Sequence, residues 1–62
     1  MIDLKVLLKH LRAHGCELLR EGAKHSVWIH LESDRRTTVP RHRSIPRTTA
    51  QAICKQLGVP PF

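Results

Sequence analysis

Gly22, Ala23, Lys24 and His25 stand where two short strand-like runs meet. Ten residues beyond His25 begins a tract, Arg35 to Arg47, with five arginines and no acidic residue. A histidine on a tight turn beside a phosphate-attracting surface is what a small metal-free ribonuclease needs. RNA carries its own nucleophile, the 2′-hydroxyl, so the protein has only to move protons and stabilise the extra negative charge on a pentacoordinate phosphorus. Imidazole titrates near physiological pH, so one such group can take the 2′-hydroxyl proton or give one to the departing 5′-oxygen. Lys24 and the arginines from Arg35 to Arg43 would supply cationic stabilisation. The expected products are a 2′,3′-cyclic phosphate and a 5′-hydroxyl. No carboxylate pair, cysteine nucleophile, glycine-rich nucleotide loop or metal-ligand set offers a competing chemistry, and no metal or cofactor is expected.

Charge is distributed unevenly. Residues 1–34 hold five Lys/Arg against five Asp/Glu, while residues 35–62 hold six Lys/Arg against none, so the whole net charge of +6 lies in the second half. That exceeds what solubility requires and points to nucleic acid or an acidic protein as partner. Arg35, Arg36, Arg41, His42 and Arg43 are the expected RNA contacts. Trp28, read as the large aromatic of an open sheet face, would stack on a base or be shielded by arginine stems. His30 is a further residue that could face RNA, while His10 and His14 read as surface groups of a first helix, His14 at its C-terminal end.

The elements that must position these residues follow from periodicity. Asp3 is a good N-cap, Ile2 and Leu7 have the spacing of a hydrophobic staple, and Leu4, Leu7, Leu8 and Leu11 form a helical stripe that Gly15 ends. Residues 16–21 make a first strand and 22–24 the connecting turn. Residues 26–31 alternate strictly, which predicts Val27, Ile29 and Leu31 on the core face and Ser26, Trp28 and His30 on the other. A regular strand from residue 25 would give His25 the parity of Val27 and Ile29, so a turn or bulge is expected to rotate it outward. A polar turn at 32–34 precedes a third strand, 35–39, which Pro40 closes. After a loop, Thr48 and Gln51 have capping-box spacing, Ala50, Ile53, Cys54 and Leu57 form a second stripe, and Gly58 and Pro60 stop it. The expected fold is α+β, an α-β-β-β-α order with one antiparallel three-stranded sheet and both helices on one face. Its core is expected to contain Leu4, Leu7, Leu8, Leu11, Leu18 or Leu19, Val27, Ile29, Leu31, Val39, Ile53 and Leu57.

At 62 residues the chain reads as one domain, 1–62, that buries only about 60% of its unfolded surface. A homodimer or a hetero-oligomer with a tight partner would add stability. Cys16 and Cys54 suggest neither a disulfide framework nor a zinc motif, which fits a reduced setting. Val6 to Leu8 is too short for a signal peptide or membrane span, so a cytoplasmic location without membrane contact is expected.

The Gly22-Ala23-Lys24-His25 turn, the hairpin running into Arg35-Arg36-Thr37-Thr38-Val39-Pro40-Arg41-His42 and the ending Ile53-Cys54-Lys55-Gln56-Leu57-Gly58 resemble the HicA toxin family over nearly the whole chain. The resemblance implies a double-stranded-RNA-binding-domain-like fold, metal-independent cleavage of mRNA, and a HicB-like antitoxin that occludes the active site. It makes His25 the catalytic residue, with Gly22 and Lys24 in the same turn. The family often has a glycine-serine pair where this chain has Ala23 and Lys24, and a glycine where it has Pro46, Arg47 and Thr48. The main alternative is a module of the same fold that binds RNA or protein without cleaving. A basic DNA-binding or ribosomal protein is less favoured, because no recognition helix is rich in Arg, Asn or Gln, the second helix offering only Gln51, Lys55 and Gln56.

Overall fold

The computed structural model describes residues 1–61. Asp3 accepts the Lys5 N–H at 2.8 Å and starts α1 (Leu4–Ala13), and Gly15, at φ 80, follows its end. Three strands come next, β2 (Cys16–Glu21), β3 (His25–His30) and β4 (Arg35–Pro40), which form an antiparallel sheet in the order β2-β3-β4. The final helix, α2 (Arg47–Leu57), ends in a Schellman motif: Gly58, at φ 75, donates to Lys55 O at 3.1 Å and Val59 donates to Cys54 O at 3.0 Å. The architecture is the expected α+β one. Buried residues of both helices share one cluster with Cys16, Trp28 and Val39, so both helices cover the same sheet face.

The face they cover is the opposite of the one that alternation in 26–31 predicts. Trp28 is 1% exposed at the centre of the core, Val27 is only half-buried and Leu31 is 56% exposed. Ile29 is buried at 8% exposure, yet it lies outside the cluster. Cross-strand neighbours explain the choice. Ile29 is flanked by Glu17 and Arg36, and Val27 by Arg20 and Thr38, so burying that face would take three charged residues out of water. Trp28 is flanked by Leu18 and Thr37, and Ser26 by Glu21 and Val39. Thr37 in turn donates its hydroxyl to Gln56 Oε1 of α2. Arg12 of α1 lies over the Trp28 ring, 5.2 Å from its centroid, and the indole N–H has no acceptor among the described residues.

Other differences are local. Leu18 and Leu19 are exposed rather than core. Residues 41–47 are not all loop: β5 (Ser44–Ile45) pairs with β1 (Ile2–Asp3), and this ribbon buries Ile45 in the core. The second helix starts before the Thr48–Gln51 spacing suggests, with Pro46 at the N-cap, no side-chain cap, and Ala50 N donating to Pro46 O at 3.1 Å. Proline is suited to that first turn, since its fixed φ suits the entry and its missing N–H would have had no helical partner. Cys16 and Cys54 are buried free thiols, both pushed above their ordinary pKa by burial, and they pack as small apolar groups. Among the described residues no helix is long and apolar enough to cross a membrane.

Trp28→Ala should destabilise the fold by about 3–5 kcal/mol. That is comparable to the whole stability of a chain this size, whereas Leu31→Ala should change it by less than about 0.5 kcal/mol. Denaturant midpoints decide the matter. Equal losses at the two positions would mean that the buried face is assigned wrongly.

Candidate active site

The β2–β3 hairpin closes when Gly22 N donates to His25 O at 2.8 Å, leaving Ala23 and Lys24 as the exposed tip. Gly22 is required by space rather than by its dihedral. No turn residue has positive φ, but a Cβ on Gly22 would lie 2.8 Å from His25 O, the acceptor of Gly22's own N–H. Any side chain here must push apart the two residues that close the turn. The turn is also tied to β4. Arg41 N donates to Lys24 O at 3.1 Å, and the Arg41 guanidinium donates to Gly22 O at 2.9 Å while standing 3.5 Å from the Glu21 carboxylate.

His25 is the first residue of β3, pairs with Pro40, and is exposed. Its parity is that of Val27 and Ile29, which places it on the sheet face that the helices leave open. No bulge is needed to turn it outward, because regular alternation already does so. The sheet's bulge lies instead in β2, between Leu18 and Arg20.

The structure disperses the other sequence-predicted site residues. Arg36 pairs with Ile29 on the face of His25, four residues along the strand or about 13 Å away. Arg35 pairs with His30 at the far end, about 17 Å along the strand. Its side chain lies against Gly58 on the helix side, where a Cβ on Gly58 would come within 3.4 Å of Arg35 Cδ. His42 and Arg43 line a crevice of about 520 Å³ with Asp3, Leu4, Lys5 and Arg41, at the start of α1. Trp28 cannot stack on a base, because it is buried under the helices. His30 bonds Ser33 Oγ through Nδ1 at 2.8 Å on the covered side, and His14 turns Nδ1 back to His10 O at 2.9 Å. Sequence reasoning missed Arg20. The bulge sets it opposite Val27, two residues from His25 on the open face, and nothing in the Leu18-Leu19-Arg20 run signals that.

The profile of the family described as HicA toxin of bacterial toxin-antitoxin matches residues 5–59, so the chain belongs to the HicA toxin family. No curated protein and no solved structure matches it. Membership carries with it an antitoxin partner, since the family consists of the toxins of toxin–antitoxin pairs.

Gly22→Ala should lower stability by about 1–2 kcal/mol and speed amide exchange at Gly22 and Arg41, whose N–H groups close and brace the turn. Arg41→Gln should speed exchange at the same two amides. Unchanged exchange in both variants would show that the turn is not held in this way.

Proposed function

We propose that the protein is a metal-independent endoribonuclease that cleaves mRNA by general acid/base catalysis at His25. The observation that supports this best is the setting of His25 in a HicA-family chain: an exposed imidazole on a turn closed by Gly22 and tied to β4 by Arg41. In the reaction the RNA 2′-hydroxyl attacks the adjacent phosphorus and the bond to the 5′-oxygen breaks. His25 takes the 2′-hydroxyl proton and, once protonated, gives a proton to the leaving oxygen. Lys24, its neighbour on the tip, supplies a cation to offset charge on the phosphorane.

Arg36, His42 and Arg43 are exposed and hold RNA phosphates away from the turn. Arg41 contributes differently. Its guanidinium is already engaged by Gly22 and Glu21, so it acts mainly by holding the turn that carries His25.

The antitoxin silences the toxin by covering the same turn. An exposed tip needs only to be capped, and an acidic surface would meet the cations there with fast, salt-sensitive association.

His25→Ala should lower RNA cleavage roughly a hundredfold to ten-thousandfold. It should abolish growth inhibition while the fold and antitoxin binding survive, and excess chelator should leave wild-type cleavage unchanged. Undiminished cleavage by folded His25→Ala protein, or loss of cleavage with chelator, would remove the mechanism. A second measurement addresses silencing: on the inactive variant, antitoxin should displace bound RNA. A stable ternary complex with RNA at full affinity would place inhibition elsewhere.

A further inference from the structure

The bulge in β2 has a chemical consequence on the open sheet face. In a regular antiparallel pair adjacent residues point to opposite faces, so Leu19 and Arg20 could not both stand over Val27. Because the register slips between Leu18 and Arg20, two residues of β2 oppose one of β3, and both Leu19 and Arg20 line the same groove. That groove, of about 460 Å³, is lined by two aliphatic residues, Leu19 and Val27, and two cationic ones, Arg20 and Arg36. Leu19 is 48% exposed on the open face, and it is Arg20 that the bulge moves there, since in an unbroken register residue 20 would oppose Ser26 on the covered face.

We propose that this groove binds the unpaired nucleotide next to the one cleaved, with the base on Leu19 and Val27 and the flanking phosphates on Arg20 and Arg36. The proposal rests on the assignment of RNA cleavage to His25 and adds to it a subsite. Three observations support it. Val27 and His25 share a face two residues apart, about 7 Å along the strand, so groove and imidazole stand about one nucleotide step apart on an extended single strand. The charge suits a polyanion: Arg20 has no ion-pair partner among the described residues, and Arg36 has only a solvent-exposed contact with Asp34 at 3.6 Å. The aliphatic pair carries no base-edge donors or acceptors, so it accepts any base by its face, as single-strand binders do.

The occupant is single-stranded for a geometric reason. A base can lie flat on Leu19 and Val27 only if it has left its stack, whereas a duplex presents sugar and phosphate outward. The open face, not the helix-covered one, is then the RNA track leading to His25.

Binding of a short single-stranded RNA to the inactive His25→Ala protein tests the groove without depending on cleavage. Adding Arg20→Gln and Arg36→Gln should flatten the log–log dependence of affinity on salt by about 1.4, from roughly 0.7 per phosphate contact, and weaken binding about tenfold near 0.15 M salt. Leu19→Asp should weaken binding as well, while Arg47→Gln, at the start of α2 on the helix side, should not. In the active protein the Arg20/Arg36 pair should raise KM by a similar factor and leave kcat within about twofold, as expected for contacts that hold ground state and transition state equally. Unchanged RNA affinity and salt slope in the Arg20/Arg36 variant would overturn the subsite even if His25 proves catalytic. Conversely, a wild type that binds RNA through the groove but does not cleave it would keep the subsite and remove the enzymatic assignment. Loss of antitoxin binding with RNA binding intact would give the groove to the partner protein and overturn the proposal.

Discussion

Everything at the candidate site depends on which face of β3 is buried. A strand in a sheet with one covered face has two choices, related by a shift of one residue, and that shift reverses every side chain at once. Here the helices take Trp28 with Cys16 and Val39, and that commits His25, Val27 and Ile29 to the uncovered side. The deciding forces are unequal. Burying Trp28 removes the largest apolar side chain of the chain from water, whereas burying the other face would also desolvate Glu17, Arg20 and Arg36. The exposure of His25 is thus a by-product of core packing and needs no distortion of its own strand.

The turn that presents His25 is held by hydrogen bonds that lie partly outside it. Its closing hydrogen bond is internal, from Gly22 to His25, but its brace comes from β4, through the Arg41 backbone and guanidinium. An acid/base group works only if it is held within hydrogen-bond reach of the atoms it serves, so a flexible tip of alanine and lysine would be a poor platform without that brace. One arginine that charge counting assigns to RNA is therefore largely spent on geometry. The apparently uniform basic half of the chain divides into a brace at Arg41, a residue packed along the end of α2 at Arg35, exposed cations at Arg36 and Arg43, and two on α2 itself, Arg47 and Lys55.

The small core is completed from unexpected places. The ribbon of β1 and β5 brings in Ile45, and the Schellman turn at Gly58 brings in Val59. For a chain with so little interior, these additions at the ends of helices matter, because each adds apolar area without adding length.

The amino-acid sequence determined the order of the two helices and three main strands, both helix stripes, the ends at Gly15 and Gly58, and the Gly22–Lys24 turn, because these rest on local signals: 3.6-residue periodicity, capping chemistry and glycine's backbone freedom. It also marked His25, since a histidine in a short turn next to an uneven charge distribution is visible without coordinates. The tertiary structure alone decided the buried face of β3, the role of Arg41, the place of Arg20 and the inclusion of Ile45. Alternation in residues 26–31 is equally regular on both faces, so it cannot choose between them; the choice lies in cross-strand neighbours five to thirteen residues away in the chain. The same holds for a bulge, which is a mismatch between two strands and has no signature in either one, and for two-residue strands, which are too short to show a period.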